Sequence, residues 1–392
     1  MTPWHIITGE YPPAPGGVSD YSEAIAAGLA AAGETVHVWC PALAGSPACP
    51  GLPADRPGVE VHAVAGAWGR PDLDRMDAAL DAIPGPKRLL VQWVPHAYGR
   101  RSMNVGFCRW IRRRAGRGDI LDLMVHEPGF AFGEGPLKQD AAAAVHRLMV
   151  ALLLNRARRV WVAIPAWIGR LQPWTFGRKT SFCWLPVPST IAVERLNGAV
   201  SRLRNTTLTR PEGVIIGHFS TYSPEIRRAL RAVVPGLLTA VPEAQIELLG
   251  RGGDQMAGEL HAIEGVDRTR VRAAADLTAA SLSCHLQACD LLMQPYPDGA
   301  STRRTTLMAA LAHGVPVVTT IGRLSESFWH STSAIAAVPA GDMAAMTRVV
   351  ADLVRHPDHR RLLAVAGRSM YEARFSLPRV IDALRADTCG HS

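Results

Sequence analysis

One stretch of this 392-residue chain predicts its fold: Gln294-Pro-Tyr-Pro-Asp-Gly-Ala-Ser-Thr-Arg-Arg-Thr-Thr-Leu-Met-Ala-Ala-Leu-Ala-His-Gly-Val-Pro-Val-Val-Thr-Thr320. An apolar run leads into a loop rich in proline and glycine, and the pattern predicts a helix that begins near Ser301 or Thr302. Gly314 ends that helix, and an apolar strand follows at once. A strand, a helix and a second strand in this order are typical of a parallel sheet.

The same alternation of strands and helices continues on both sides of this stretch. The apolar runs predict strands at residues 4–8, 35–40, 88–94, 122–126, 159–163, 213–219, 244–249, 291–296 and 315–320. Periodicity weakens before residue 212, which indicates a linker. We therefore predict an α/β protein with two Rossmann-like doubly wound parallel-sheet domains that face a central cleft: 1–195, a linker at 196–212, 213–372, and a last helix at 373–392 that packs back on the first domain.

Composition and charge restrict the class of protein. Apolar residues make up 48% and charged residues 19%, which is typical of a globular protein, and the net charge of +8 favours an anionic partner. The seven cysteines are scattered and never spaced CxxC, so we expect neither a disulfide framework nor a zinc site. The start of the chain lacks the pattern of a signal peptide, and a reducing compartment, the cytoplasm, is expected.

Two loops are candidates for binding an anion. Gly16 and Gly17 precede a helix whose first N–H groups are free to bind a phosphate, although a tight turn would use the same glycines. Arg303 and Arg304, followed by Thr305 and Thr306, are predicted in the first turn of a helix, where the dipole disfavours cations. A bound diphosphate would resolve that conflict, and the alternative is a solvated or ion-paired arginine pair.

One histidine stands out by its position. His126 and Glu127 follow a predicted strand, at the edge of the sheet where ligands of such folds bind. His126 could donate a hydrogen bond to a sugar hydroxyl or stabilise charge in a transition state. The alternative is a histidine held by a neighbouring carbonyl group.

Nearly the whole chain resembles the GT-B glycosyltransferases of family 4, a retaining group that uses nucleotide-sugar donors. The resemblance rests on the Gly16-Gly17 loop, His126, the strand that opens the second domain, and the ending Ala310-Leu-Ala-His-Gly-Val-Pro-Val-Val318. It implies that the Gly16-Gly17 loop lies near the donor diphosphate and the acceptor, and that His126 contacts the donor sugar. With the residues read beside it, the catalytic candidates are His126 and Asp298, and the acceptor-side candidates are Tyr11 and Glu127. The candidates for donor binding are Gly16, Gly17, Ser220, Thr221, Arg251, Gly299, Arg303, Arg304, Thr305 and Thr306.

The chain departs from the family pattern at three places. The family's Glu-x-Phe-Gly-x-x-x-x-Glu places its carboxylates at Ser301 and Ala309 of this sequence, and Asp298 is the candidate replacement for the first. The family's Arg and Lys after the first strand of the second domain are also absent, since the segment reads His218-Phe-Ser-Thr-Tyr-Ser-Pro-Glu225. Arg303 and Arg304 are the candidates for supplying the missing positive charge.

The resemblance implies transfer of a sugar from a UDP- or GDP-sugar to a hydroxyl acceptor with retention of configuration, without a metal or other cofactor. Polysaccharide, glycolipid or glycosylated-metabolite synthesis would use such a reaction. Two alternatives keep the fold: an epimerase of nucleotide sugars, or a protein that binds a sugar nucleotide without catalysis.

A basic stretch at residues 96–118 suggests a second kind of partner. It has no acidic residue before Asp119 and is interleaved with Phe107, Trp110 and Ile111; its arginines are Arg100, Arg101, Arg109, Arg112, Arg113, Arg114 and Arg117. Such a segment could rest on an anionic membrane at its inner face, with Trp167, Trp174 and Trp184 as anchors. A solvated helix face or a subunit contact is the alternative, and no nucleic-acid-binding module surrounds it.

Overall fold

The computed structural model describes residues 2–42, 57–99, 102–133, 136–195, 198–208, 210 and 212–386. The chain divides into two compact units. Unit 1 comprises Met1–Pro186 and Leu377–Ser392, and unit 2 comprises Val187–Ser376. Both are α/β units built on a parallel sheet, so the predicted fold class is confirmed.

Unit 1 has a seven-stranded parallel sheet in the order β3-β2-β1-β4-β5-β6-β7. Its strands are β1 (Trp4–Ile7), β2 (Val36–Trp39), β3 (Val59–His62), β4 (Arg88–Trp93), β5 (Ile120–Val125), β6 (Arg159–Val162) and β7 (Ser181–Trp184). The helices between them are α1 (Gly17–Ala31), α2 (Arg70–Ala82), α3 (Val105–Gly116), α4 (Leu137–Leu154) and α5 (Ala166–Leu171). The central strands are buried on both faces, which explains their continuous apolar runs.

Unit 2 has a six-stranded parallel sheet in the order β10-β9-β8-β11-β12-β13. Its strands are β8 (Val214–Phe219), β9 (Ala244–Leu249), β10 (Val271–Ala274), β11 (Leu291–Gln294), β12 (Val317–Ile321) and β13 (Ala336–Pro339). Its helices are α6 (Ala199–Thr207), α7 (Pro224–Ala240), α8 (Gly253–His261), α9 (Ala279–Ala288), α10 (Thr305–Ala312), α11 (Met343–Arg355) and α12 (Pro357–Arg374). The last helix of the chain, α13 (Leu377–Arg385), belongs to unit 1.

The four strands absent from the sequence-based expectation are the four sheet edges. They are β3 and β7 in unit 1 and β10 and β13 in unit 2, and each has exposed or half-buried residues among its four. An edge strand is paired on one side and only partly covered, so its sequence lacks a continuous apolar run. The signal that finds the central strands is therefore missing at the edges.

The segment between the two sheets belongs to unit 2 from Val187 onward. The Val187 amide donates to the Thr302 carbonyl (2.9 Å), and the Ser189 amide donates to the Tyr371 hydroxyl (3.2 Å). Within the predicted linker, residues 196–212, lies α6, whose Arg204 forms an ion pair with Asp290 (3.0 Å). Residues 196, 197, 209 and 211 lie outside the described residues.

At the other end of the chain, α13 packs on α1 within unit 1. A Cβ added at Gly28 of α1 would lie 2.7 Å from Ile381 Cγ1, so the glycine permits the close approach of the two helices. Residues 387–392 of the predicted last segment lie outside the described residues.

Two further features concern membrane-spanning helices and the state of the cysteines. Within the described ranges, none of the helices has both the length and the apolar character needed to cross a membrane. Cys183 is disulfide-bonded, which the scattered cysteine spacing did not predict, and Cys40, Cys108, Cys284 and Cys289 are free thiols.

Candidate active site

In unit 2 the order of the sheet reverses between β8 and β11, and the carboxyl ends of these two strands are joined by side chains. His218 Nδ1 donates to the Met293 carbonyl (2.8 Å), and Gln294 Nε2 donates to the Phe219 carbonyl (3.1 Å). Burial lowers the pKa of His218 to about 4, so the ring is neutral at pH 7. Doubly wound sheets bind ligands at such a reversal, beyond the carboxyl ends of the strands.

Two loops beside this reversal carry predicted donor-binding residues. Ser220 follows β8, and its hydroxyl accepts a hydrogen bond from the Tyr222 amide (3.0 Å), while Thr221 is exposed. The neighbouring loop after β9 carries the exposed Arg251 between glycines with positive φ. At Gly250, with φ 95°, an added Cβ would lie 2.6 Å from the Ser220 carbonyl oxygen, so the two loops touch through backbone.

The loop between β11 and α10 differs from its prediction. The helix begins at Thr305 rather than near Ser301, because a turn closed by the Arg304 amide on the Ser301 carbonyl (3.0 Å) precedes it. Arg303 and Arg304 therefore lie before the helix, not in its first turn. Thr305 and Thr306 do lie in the first turn, whose amides have no partner within the helix.

Asp298 explains how the two arginines are held. Its carboxylate forms ion pairs with both Arg303 and Arg304, and all three side chains are at most a quarter exposed. Burial raises the pKa of Asp298, but the charges of Arg304 and Arg303 outweigh it and keep that pKa below its ordinary value. The ion-paired arrangement, one of the alternatives for the two arginines, is therefore observed. Two cations and one anion still leave the group with a net positive charge.

Tyr296 completes this cluster. The Arg304 guanidinium lies 4.8 Å from the centre of the Tyr296 ring, and the Tyr296 hydroxyl shares a hydrogen bond with Thr306 Oγ1 (2.7 Å). The aromatic ring and the helix start thus orient Arg304 from one side, and Asp298 orients it from the other. We refer to Tyr296, Asp298, Arg303, Arg304 and Thr306 as the arginine cluster.

Gly299 is required by the packing of the loop. Its φ is 93°, and an added Cβ would lie 2.3 Å from the Gly322 amide nitrogen. At the two family positions for carboxylates, Ser301 and Ala309 are both fully buried. The Ser301 hydroxyl has no hydrogen-bond partner among the described residues.

The carboxylate of Glu326 lies near this loop, and the sequence analysis did not identify it. Glu326 accepts hydrogen bonds from the Thr302 amide (3.0 Å) and from Trp329 Nε1 (2.8 Å), and burial raises its pKa. It lies 25 residues after Ser301 in the chain, and no motif spacing connects the two. Its hydrogen bond to the Thr302 amide stabilises the turn at Ser301–Arg304 that precedes α10.

In unit 1 the Gly16-Gly17 loop already holds an anion, the carboxylate of Glu10. Glu10 Oε1 accepts hydrogen bonds from the amides of Val18 and Ser19, each at 3.1 Å. An added Cβ at Gly16 would lie 2.2 Å from Glu10 Oε1, which explains this glycine. The amides predicted to bind the donor diphosphate are thus occupied by Glu10, and a diphosphate would have to displace it; Tyr11 lies half-buried in the same loop.

His126 lies directly after β5, as predicted, but its chemistry is narrower than expected. Its Nε2 donates to Gln92 Oε1 (2.9 Å), and its ring packs edge-on against Tyr21 with 4.7 Å between ring centres. Burial lowers the pKa of His126 to about 3, so the ring is neutral at pH 7. Because Nε2 is used by Gln92, Nδ1 is left as an acceptor for a hydroxyl, whereas the sequence analysis expected the ring to donate a hydrogen bond.

Unit 1 has a small pocket with a volume of ≈ 120 Å³ that is lined in part by the residues that follow His126 in sequence. Its walls are formed by residues 128–131, by α4 and α5 and by the short helical turn Gln172–Thr175 after α5, and they include Arg147, Arg170 and Trp174. Arg147 is fixed by the Phe130 carbonyl (3.0 Å) and by the Phe132 ring, which lies 3.7 Å from its guanidinium carbon. Two cations and an aromatic wall suit a polar ligand with an anionic group, and the exposed Glu127 stands beside the pocket in sequence.

Three of the seven arginines in the basic stretch 96–118 are paired with acidic side chains. Arg113, Arg114 and Arg117 all form ion pairs with Asp77, at 3.2 to 3.3 Å. The interleaved Phe107, Trp110 and Ile111 are buried in unit 1 and are not membrane anchors. Trp167 is also buried and donates to the His126 carbonyl (3.0 Å). Arg109 and Arg112 are exposed, and Arg100 and Arg101 lie outside the described residues.

Comparison with known proteins agrees with this geometry. Residues 210–356 match the family described as glycosyl transferases group 1, whereas no curated protein sequence matches the chain. Solved structures align over nearly the full length. They include sucrose-phosphate synthase from Thermosynechococcus elongatus (TM-score 0.70, 16% identity, 98% of this chain and 97% of that chain), Anabaena HepE in complex with UDP (0.68, 15%, 98% and 98%) and α,α-trehalose 6-phosphate synthase from Burkholderia multivorans (0.66, 12%, 99% and 96%).

The matched segment contains the reversal between β8 and β11 and the whole arginine cluster. The likeness to solved structures covers both units and shows their fold, and the family match over residues 210–356 identifies a glycosyl transferase domain in unit 2. Residues 210–356 therefore form a group 1 glycosyl transferase domain, and the chain as a whole has the fold of the GT-B glycosyltransferases.

Proposed function

We propose that this glycosyltransferase moves a hexosyl group from a UDP- or GDP-sugar to an acceptor hydroxyl, with retention of configuration. The observation that carries the proposal is the arginine cluster at the start of α10. It combines a net positive charge with the free amides of a helix N-terminus, which together suit a diphosphate.

The nucleotide would lie on unit 2. Ser220, Thr221 and Arg251 flank the reversal of the sheet, where their hydroxyl, amide and guanidinium groups can meet phosphate or ribose oxygens. Support for a uridine nucleotide comes from Anabaena HepE, which has been solved in complex with UDP-glucose (TM-score 0.66). Trehalose-6-phosphate protein from E. coli has been solved with UDP-2-fluoro glucose (TM-score 0.66).

The acceptor would lie on unit 1, in the pocket beside His126. The guanidinium groups of Arg147 and Arg170 favour an acceptor that carries a phosphate or carboxylate group, and Trp174 offers a face for a sugar ring. His126 Nδ1 can accept a hydrogen bond from a hydroxyl group of either substrate.

The chemistry of transfer needs little from the protein beyond positioning and charge. The leaving diphosphate takes the proton of the acceptor hydroxyl as the bond to the anomeric carbon breaks. The cations of the arginine cluster stabilise the charge on that diphosphate, which is the role of a metal in other enzymes, so we expect transfer without an added metal. Asp298 positions both arginines for this role.

The experiment is a binding and turnover screen. The full-length protein is titrated with UDP, GDP, ADP, CDP and TDP by calorimetry, and the nucleotide-sugar of the preferred base is incubated with acceptor mixtures in the presence of EDTA. We expect one base to bind and its sugar to be transferred with retention, read by NMR of the anomeric proton. Conversion of the nucleotide-sugar without acceptor would instead indicate an epimerase, and binding without turnover a non-catalytic protein.

We also propose a cytoplasmic protein that rests at the inner face of the membrane. The exposed Arg109 and Arg112 of α3 remain as contacts for anionic lipid. Flotation with vesicles that contain 30% anionic lipid tests it, and recovery of the protein at the bottom of the gradient at low salt would contradict the proposal.

A further inference from the structure

Three metal-ligating side chains meet at one edge of the unit 1 sheet, far in sequence from the residues of the proposed reaction. His37 lies on β2, and Glu60 and His62 lie on the edge strand β3. The register places Glu60 opposite His37 and His62 opposite Trp39. Since side chains two residues apart share a face, all three project from the same face of the β2–β3 pair.

The spacing of their ligand atoms is that of a tetrahedral metal site. His37 Nδ1 lies 3.1 Å from His62 Nε2, Glu60 Oε2 lies 3.3 Å from His37 Nδ1, and Glu60 Oε1 lies 3.6 Å from His62 Nε2. Bonds of about 2.0–2.1 Å to zinc place tetrahedral ligand atoms about 3.3 Å apart. The three observed distances lie on both sides of that value.

Hydrogen bonds satisfy only part of this arrangement. A single proton between His37 Nδ1 and His62 Nε2 makes one ring the donor and the other the acceptor, and no second proton on these two nitrogens is then left for the Glu60 carboxylate beside them. Protons on both nitrogens would turn two N–H groups toward each other across 3.1 Å. A cation among the three groups accepts a lone pair from each of them at once.

The orientation of both rings is fixed by stacking. His37 stacks on His5 with 4.8 Å between ring centres, and His62 stacks on Trp39 with 4.0 Å between centres. Trp39 Nε1 in turn donates to His5 Nδ1 (3.1 Å), which ties the two stacks together. Such contacts hold ligand atoms in place before a metal arrives.

The cluster is also open to entry from solvent. The side chains of His37 and His62 are 11% and 19% exposed, whereas that of Glu60 is 66% exposed. An ion could therefore enter past the carboxylate and keep water as a fourth ligand. The second His/carboxylate group of the described chain, Asp352, His356 and His359, is exposed and serves as a matched control.

We propose that His37, Glu60 and His62 form a zinc-binding site that joins the edge strand β3 to β2. Two imidazole nitrogens and a carboxylate are a ligand set that Zn²⁺ accepts, and Co²⁺ occupies the same geometry. The site lies within unit 1 and takes no part in sugar transfer. Cysteine spacing pointed away from zinc, whereas these histidines and the glutamate lie on two strands that the sheet brings together.

The test is metal binding by the untagged full-length protein after treatment with EDTA. Zn²⁺ is titrated against a chromophoric chelator, and Co²⁺ is followed by its visible absorption, which is intense for tetrahedral sites. We expect one strong equivalent and a tetrahedral Co²⁺ spectrum. His37→Ala together with His62→Ala should weaken that equivalent at least about 100-fold, and Glu60→Gln, which changes an exposed group, about 10- to 100-fold.

The control is His356→Ala together with His359→Ala, which removes as many histidines from the exposed group and should leave the strong equivalent and its spectrum unchanged. Circular dichroism checks that each variant folds, and Glu60→Gln decides the matter if the double histidine variant does not. Absence of a strong equivalent in the wild-type protein, or equal loss in the control, would overturn the proposal and leave a hydrogen-bonded histidine cluster.

Discussion

The two units use the same strand-loop-helix plan, yet their loops treat an anion differently. In unit 1, Glu10 accepts hydrogen bonds from two of the first amides of α1, those of Val18 and Ser19. In unit 2, Asp298 binds two arginines and leaves the first amides of α10 without a partner inside the helix. In the loop before α1, the Glu10 carboxylate already accepts hydrogen bonds from amides that could bind an anion. The loop before α10 has a net positive charge, which favours binding of an anion.

This difference supports the proposal that the diphosphate binds to unit 2. A phosphate at α1 must displace a charge-assisted contact, and the helix gains little from exchanging one anion for another. A phosphate at α10 adds hydrogen bonds to donors that lack them.

The largest expected effect comes from the arginine cluster. Changing Arg303 and Arg304 to Gln should lower kcat/KM for the nucleotide-sugar roughly 10²- to 10⁴-fold, because each charged hydrogen bond to phosphate contributes about 1.5–3 kcal/mol. Steady-state kinetics and UDP calorimetry measure it. The matched control, Arg109→Gln with Arg112→Gln, removes two exposed arginines of unit 1 and should leave kcat/KM unchanged.

The Arg303→Gln, Arg304→Gln variant leaves the carboxylate of Asp298 largely buried without its two cations, which could destabilise the fold. A control is therefore needed that separates stability from UDP affinity. A triple variant that adds Asp298→Asn keeps the cluster uncharged, and we expect its unfolding transition near that of the wild type with the same loss of UDP affinity. Unchanged affinity in the folded triple variant would remove the basis for placing the diphosphate here.

A smaller effect is expected at the loop of unit 1. Glu10→Gln should lower the unfolding free energy by about 1 kcal/mol, or roughly 2–4 °C in Tm, because it weakens the contact with the start of α1. Donor affinity should not change. Glu264→Gln, at an exposed carboxylate of unit 2, is the control. Tighter binding of UDP by Glu10→Gln would show that Glu10 competes with the diphosphate and would reverse the comparison between the loops.

The smallest effect at neutral pH concerns His126. Its folded pKa is about 3 and its ordinary value 6.5, so the unfolded chain binds the proton first as the pH falls below 6.5. The stability that its neutral burial contributes is therefore present above pH 6.5 and declines from there toward pH 3. Urea unfolding at several pH values should show a shallower decline for His126→Asn than for the wild type.

The rate should show no inflection from His126 between pH 5 and 8, because the folded ring stays neutral there. A pH profile of kcat/KM measures this. An inflection near pH 6.5 that disappears in His126→Asn would contradict a neutral His126.

The sequence predicted the central strands and missed the four edges for one reason. Strands such as Val214–Phe219 and Ala244–Leu249 are buried on both faces and read as apolar runs, whereas Val59–His62 and Val271–Ala274 are half-covered and read as loops. The edge strand β3 carries Glu60 and His62, and the sequence analysis did not predict this strand. The sequence therefore could not show that these two residues lie beside His37.

The candidate site shows the same division. The residues of the arginine cluster are close in sequence, so the sequence could single out their loop. The reason given for it, two arginines in the first turn of a helix, was wrong, because Arg303 and Arg304 lie before α10. Contacts between distant residues could not be predicted: Asp77 with the arginines of α3 and Glu326 with Thr302 each join segments without a shared motif.

The sequence by itself determined the fold class, the two-domain plan and the loops where a phosphate could bind, because burial periodicity and glycine-rich turns are local properties of the chain. Only the tertiary structure decided which of those loops is already satisfied, which arginines are neutralised and which histidines meet. These outcomes depend on distances between side chains that the sheet brings together, and such distances are not encoded by local spacing.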